Sequence, residues 1–327
     1  MKKMFIFSLF FLFAIGIGFL NNSEVVAQPM ELKGLTFVPK NHPIAAMIPV
    51  WIDRVNAELK DVIKINFVGG PEVIPAFDQA EALRKGIIQV GFLPAAYYGG
   101  LLPEADAISL SRYDFKKERE QGGIWEYLVE RHKTINMMLL GTWIYDPFYL
   151  RVKKPVKVLD DLKGLKMRTA AKYDKMMIKL GIVPVTVQFG ETFTALQRGV
   201  VEGFGWSVLG PREWGWLEHC KYLIDIPFYA RQNTLILINL DVWNKLSKKD
   251  QDKIIDITIK YEPDMKAYFD KAIEKEFQEW DKMGIQRVKF SPEDTKKFID
   301  TSITAHWEDL DKKVPEIAKE MKKRMGY

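Results

Sequence analysis

Arg168 ends the short stretch Lys166-Met167-Arg168 and is followed by Thr169-Ala170-Ala171. An arginine at the carboxyl end of a strand, beside a helix start, suits two-pronged recognition of a carboxylate or phosphate, and the small residues after it let a ligand come near. From spacing alone a surface salt bridge serves equally well. Nine tryptophans and 12 tyrosines supply walls for a pocket, with Trp206, Trp214 and Trp216 close together, although core packing accounts for most such residues. Other chemistry lacks a constellation. The four histidines, His42, His132, His219 and His306, stand far apart, and Glu218-His219-Cys220 diverges on a helix, so no metal site is expected. Gly205-Trp206-Ser207-Val208-Leu209 has leucine where a nucleophile elbow needs its second glycine. Gly203-x-Gly205 lacks the third glycine of a dinucleotide fingerprint. No carboxylate pair is set face to face by spacing, so catalysis has no residues behind it and the chain is not expected to be an enzyme.

The elements that must position Arg168 read as α/β. Strands are expected over 32–38, 62–68 and 90–93, with helices over the residues up to 59 and over 77–85, the rhythm of a parallel sheet. A helix is expected over 116–133, interrupted at Gly122-Gly123, then a strand over 135–143. After Lys153-Lys154-Pro155 the rhythm restarts, with strands over 166–168, 183–187 and 203–206 and helices over 173–180 and 191–198. Two such units imply two lobes with a cleft between them. Ser247 and Asp250 form a capping box that opens a long helix reaching about 283 through Pro263, and a second helix covers 295–325.

Composition agrees with a folded, exported protein. The 327 residues are 47% hydrophobic and 28% charged, which excludes a disordered, collagenous or coiled-coil chain. A formal charge of +5 without a basic block in the body argues against nucleic-acid binding, and the single Cys220 excludes an internal disulfide framework. Lys2 and Lys3 precede an apolar run over 5–20, and Val25-Val26-Ala27 offers small residues for cleavage after Ala27. Residues 1–27 are therefore expected to be a secretory signal peptide, shorter in its apolar part than a membrane span.

A resemblance joins these observations. Asp161-Leu162-Lys163-Gly164-Leu165-Lys166-Met167-Arg168, followed by Phe189-Gly190-Glu191-x-Phe193-Thr194-Ala195-Leu196-Gln197-x-Gly199-Val200-Val201-Glu202-Gly203, resembles the signature of TRAP (tripartite ATP-independent periplasmic) transporter solute-binding proteins. Glu81 to Gly86, Tyr97 to Glu104 and Asn239 to Leu246 are similar to other segments of that family. The resemblance implies a two-lobed periplasmic binding protein fold with a long helix spanning both lobes. It implies lobe I over 28–152, lobe II over 153–239, the inter-lobe helix over 240–283, mainly with lobe I, and C-terminal helices over 284–327 packing on lobe II.

The same resemblance implies a periplasmic receptor that passes a small organic acid to the small and large membrane subunits of a TRAP transporter. The arginine matching Arg168 clamps the ligand carboxylate, the positions matching Phe189 and Trp206 line the pocket, and Tyr97 joins them from the first-lobe segment. In a branch resembling 2-oxoacid binders a glutamate precedes that tryptophan. Gly205 replaces it here, so neither metal nor other cofactor is expected. Arg151 lies too near Pro155 to match the second arginine of some members. A single secure arginine beside Trp206 favours a monocarboxylate such as a 2-oxo, 2-hydroxy or aromatic acid. The alternatives are a receptor for a sensor or an ATP-driven importer, and an extracytoplasmic enzyme on a binding-protein fold.

Overall fold

The computed structural model describes residues 28–169, 173–229, 232 and 234–327; the expected signal peptide lies outside them. Eleven strands form two sheets. They are β1 (Met30–Thr36), β2 (Ile63–Gly69), β3 (Val90–Pro94), β4 (Met137–Thr142), β5 (Phe148–Val152), β6 (Lys166–Thr169), β7 (Val183–Thr186), β8 (Gly203–Ser207), β9 (Tyr222–Ile224), β10 (Thr234–Asn239) and β11 (Gln286–Val288). The first sheet runs β2-β1-β3-β10-β4 and the second β11-β9-β5-β8-β6-β7. Strands β3, β4 and β10 are buried along their whole length. Their runs Val-Gly-Phe-Leu-Pro, Met-Met-Leu-Leu-Gly-Thr and Thr-Leu-Ile-Leu-Ile-Asn are accordingly apolar rather than alternating.

The sheets are mixed, which corrects the expectation of parallel ones. Strand β10 lies antiparallel between β3 and β4, and β5 lies antiparallel to both β8 and β9. The cause is connectivity. The chain passes from the first sheet to the second between β4 and β5 and returns between β9 and β10, so each arriving strand enters its sheet from the opposite direction. Asp146 secures the first passage, its carboxylate accepting from the backbone N–H groups of Val208 (2.9 Å) and Leu209 (3.0 Å). Burial pushes that carboxyl up to about 7, against the lowering effect of those bonds.

The helix Lys248–Lys282 joins the two halves. Ser247 caps it by accepting from Asp250 N–H, and it runs unbroken through Pro263. Its first part packs on the first half: Trp51 Nε1 donates to Thr258 (2.9 Å), Tyr261 donates to the Met47 carbonyl (3.1 Å), and Arg119 pairs with the buried Glu262 (2.8 Å). Its last turns pack on the second half. There Arg212 pairs with Glu276 (2.8 Å), and Trp280 lies under the Arg151 guanidinium. Each buried ring of this kind contributes about 1.5–3 kcal/mol through burial alone. The tail forms two helices, Pro292–Lys313 and Pro315–Met325, where the sequence suggests one. Pro315 lacks an N–H and drives Val314 out of the helical region, to φ −144° and ψ 64°. The first tail helix packs on Asp174–Lys179 and Pro103–Leu110, and the second on Ile124–Lys133. Among the described residues no helix is long and apolar enough to cross a membrane.

Candidate functional site

Carboxyl ends of strands from both sheets converge on one cavity. From the first sheet come Phe37, just past β1, and Pro94, Ala96 and Tyr97 at the end of β3. From the second come Arg168 near the end of β6 and Trp206 near the end of β8, with Phe148 at the start of the antiparallel β5. Tyr173 and Gln232 complete the lining. The free space between these residues is only about 20 Å³, room for about one water molecule, so in this form the lining is packed nearly shut. Open α/β sheets present ligands with backbone and side-chain groups at these strand ends.

Arg168 is 1% exposed. Its Nε donates to the Val187 carbonyl (3.0 Å), and its guanidinium lies over Trp206 (5.0 Å) and Trp216 (5.8 Å). These rings orient the planar fork and offset part of its desolvation. Nη1 is buried and has no partner among the described residues. A buried charged donor left unmade is costly, so this atom marks where an acceptor belongs. Gln232, 3% exposed, also turns a buried Nε2 without a partner towards the lining. The other described lining side chains are apolar, phenolic or, at Trp206, an indole whose N–H is already bonded. Burial pushes the hydroxyls of Tyr97 and Tyr173 up to about 12, against the opposing field of Arg168, so both are neutral.

Trp206 is buried and donates its Nε1 to the Leu209 carbonyl (3.2 Å). Tyr173 donates to the Gly205 carbonyl, and a Cβ at Gly205 would lie 2.6 Å from its ring. Glycine at 205 is therefore required by the tyrosine packed over it, and no side chain at 205 can reach the cavity. Among the described residues no group of three or more His, Cys, Asp or Glu side chains could hold a metal ion. The histidines are dispersed: His132 bonds Tyr98 (2.9 Å), His306 faces Asp106 (3.8 Å), and His219 packs on Phe193. Cys220 is buried, which pushes its thiol up to about 12.

The structure brings Arg168, Trp206 and Tyr97 to one cavity and places Phe189 just outside it. Phe189 packs on Trp206 (5.7 Å), Trp214 (5.1 Å) and Trp216 (5.4 Å) and lines an adjoining crevice that also includes Tyr97, Phe77 and Glu72. The three neighbouring tryptophans thus surround one phenylalanine. Ala170 and Ala171, the small residues expected to admit a ligand, lie outside the described residues. Phe37, Phe148, Tyr173 and Gln232 are lining residues that the sequence reading lacks. Phe37 follows a strand end and was accessible to that rule; Tyr173 and Gln232 carry no local signal. Arg151 is buried with its fork filled by protein, as Nη1 and Nη2 donate to the carbonyls of Trp206 and Ser207 (3.0 Å each).

Comparison with known proteins fits this arrangement. Residues 35–313 match the family described as bacterial extracellular solute-binding protein, family 7. A monocarboxylate 2-oxoacid-binding periplasmic protein of Nostoc sp. is 25% identical over 207 residues, covering 58% of this chain and 54% of the relative. A sialic acid-binding periplasmic protein of Vibrio cholerae is 26% identical over 185 residues, 53% of this chain and 56% of the relative, so these matches span about half the length of each relative. Among solved structures, a TRAP periplasmic solute-binding protein from Desulfovibrio salexigens with bound orotic acid superposes at a TM-score of 0.81. It is 20% identical, over 90% of this chain and 97% of that one. An extracytoplasmic solute receptor of Bordetella pertussis binding pyroglutamic acid gives 0.77 at 18% identity, over 91% and 100%. At such identities the likeness is one of fold. Through the match over 35–313, the chain belongs to family 7 of the bacterial extracellular solute-binding proteins, the family of the TRAP periplasmic receptors.

Proposed function

We propose that this protein is the extracytoplasmic receptor of a TRAP transporter. After removal of the signal peptide it captures a small monocarboxylate in the periplasm and delivers it to the small and large membrane subunits. The carrying observation is the Nη1 of Arg168, without a partner among the described residues, on a residue that lines a cavity walled mainly by aromatic rings. A ligand carboxylate accepts from this fork, a charge-assisted contact contributing about 1.5–3 kcal/mol. Phe37, Tyr97 and Trp206 then bury an apolar or planar remainder, and Gln232 donates to a second acceptor such as a 2-oxo or 2-hydroxy oxygen. Among the described lining residues no second cation stands to meet another carboxylate. The 2-oxoacid-binding relative and the orotate- and pyroglutamate-bound neighbours carry ligands of this kind, while another neighbour, from Haemophilus influenzae, is bound to L-gulonate.

Capture proceeds by hinge closure about the connections between the two sheets, such as 143–147, the ligand favouring the closed form because it touches residues of both sheets at once. The division at about 152 and 239 into lobes belongs to the same reading, as does the role of receptor rather than enzyme. The test is a thermal-shift panel of pyruvate, 2-oxobutanoate, phenylpyruvate, lactate, benzoate, orotate, pyroglutamate, succinate and gluconate. Monocarboxylates that carry an apolar or planar remainder, with or without an adjacent acceptor, are expected to raise the melting temperature most. Stabilisation by succinate or gluconate alone overturns the ligand class. Steady conversion of any panel acid into a product overturns the receptor role.

A further inference from the structure

His42 lies outside the ligand cavity, yet it is 1% exposed and is held by the opposite half of the molecule. It belongs to the turn after β1, on the first sheet, where its Nδ1 accepts from the Ile44 N–H (3.2 Å). Its ring is stacked on Trp214 (6.0 Å between centroids, 13° between planes) and meets Phe189 (5.1 Å) and Trp206 (6.3 Å). All three belong to the second half, and two of them flank the Arg168 pocket. Gly210, also of the second half, approaches so closely that a Cβ there would lie 2.5 Å from His42 Cε1. Its φ of +106° is one that other residues rarely adopt. Parting the two halves removes every one of these neighbours and leaves the ring in water.

Resting on the receptor reading above, we propose that His42 is a positioning residue for lobe closure: its ring must be neutral to enter the second-half aromatic seat, so carboxylate capture is proton-sensitive. The hydrogen bonds set the tautomer. Nδ1 accepts from Ile44, so the single proton of the neutral ring sits on Nε2, which is buried without a partner among the described residues. A second proton would fall on Nδ1, facing another donor, and would place a cation among three rings with no carboxylate on it. The charged side chains on the surrounding elements are Lys40 in its own turn, Glu72 across the crevice, Arg168 behind Trp206, Glu191 after Phe189, and Arg212 and Glu213 beside Trp214. Burial, rather than any of these charges, lowers the ring's pKa from 6.5 to about 3 in the closed form.

The sign follows from linkage. Above the ordinary histidine pKa both forms hold a neutral ring and closure is unopposed. Below it the open form gains a proton that the closed form must expel, so affinity is lost as pH falls. Between pH 8 and pH 5 the expected loss is about 30-fold, using 6.5 for the open and about 3 for the closed form.

The experiment measures Kd by calorimetry at pH 8, 6.5 and 5, with pyroglutamate, orotate and phenylpyruvate as probes. It compares the wild type with His42→Asn, whose amide oxygen can still accept from Ile44, and His42→Phe, which keeps the ring stack. Asp146 also titrates near this range but is common to all three proteins, so the difference between profiles isolates residue 42. The wild type is expected to weaken about 30-fold and both variants less than threefold over the same range. A wild-type profile as flat as the variants', with binding intact at pH 8, overturns the latch and leaves the receptor reading standing. So does an equal slope in all three proteins. Failure of all three probes, and of the wider acid panel, to bind the wild type at pH 8 overturns the receptor reading and the latch with it.

Discussion

Two arginines are buried in the second sheet, and they differ in what meets their free donors. Arg151, on β5, is 0% exposed and lies between Trp280 (4.5 Å) and Phe204 (5.4 Å), with two carbonyls accepting from its fork and its Nε buried without a partner among the described residues. Arg168, on β6, is 1% exposed and also lies over two rings, but one carbonyl accepts from Nε and a fork nitrogen faces the cavity. Burial and aromatic neighbours are common to both. Desolvation pushes Arg151 down to about 10, while the fields of Asp146, Tyr149, Cys220 and Glu276 favour its charge. Each arginine keeps one buried nitrogen without a partner among the described residues, Nε in Arg151 and Nη1 in Arg168, so an unspent donor alone marks nothing; only Arg168 also lines the cavity. A filled fork holds two strands together instead.

The largest effect is expected from Arg151→Ala. Losing the donors to Trp206 and Ser207 and the packing between Trp280 and Phe204 destabilises the protein by about 3–5 kcal/mol. A urea titration reads this as a lower midpoint at unchanged slope. If the midpoint holds and carboxylate binding vanishes, the two arginines have been assigned the wrong way round. Arg168→Lys is the counterpart: it keeps the charge and loses the planar fork. Affinity for the best panel acid falls about 10–100-fold by calorimetry, while the urea midpoint of the unliganded protein is unchanged. An unaltered Kd would remove Arg168 from the site.

Gly205→Ala sharpens the comparison at the strand pairing with Arg151's own. The added methyl meets the Tyr173 ring at 2.6 Å and costs about 1–3 kcal/mol of stability, with a severalfold weaker Kd as Tyr173 leaves the wall. Wild-type stability and affinity in this variant would show that Tyr173 moves aside freely. Metal removal is expected to have the smallest effect of all. Hard cations need several oxygen ligands, and the position before Trp206 carries no side chain to supply one. Exhaustive dialysis against a chelator should leave Kd unchanged; a collapse restored by one added divalent metal would contradict this.

Much of this organisation is legible in the chain itself. Apolar runs and their spacing place strands over 32–38, 62–68 and 90–93, within about two residues of β1, β2 and β3, and Ser247 with Asp250 marks the start of the long helix, because these depend on neighbours a few residues apart. The stretch from Asp161 to Gly203 carries the family and, with it, Arg168. Strands β5, β9, β10 and β11 escape such a reading. Three of them are only 3 to 5 residues long. Their pairing partners lie far off in sequence, so no local period requires them and only tertiary contact completes them.

The same division holds at the site. Residue type and strand position leave Arg168 open to an anion or to a surface salt bridge alike, and the family stretch around it is what singles it out as the proposed clamp. That Arg151 spends its donors on the β8 carbonyls, that Tyr173 fills the space over Gly205, and that Phe189 walls the crevice instead of the cavity are decided by the folded structure. Each depends on which side chains from distant segments compete for one small volume, and no short stretch of chain encodes the outcome of that competition. His42 is the clearest case: as a sequence position it caps a turn of one half, and only the packing of the two halves makes it the ring that the other half must enclose.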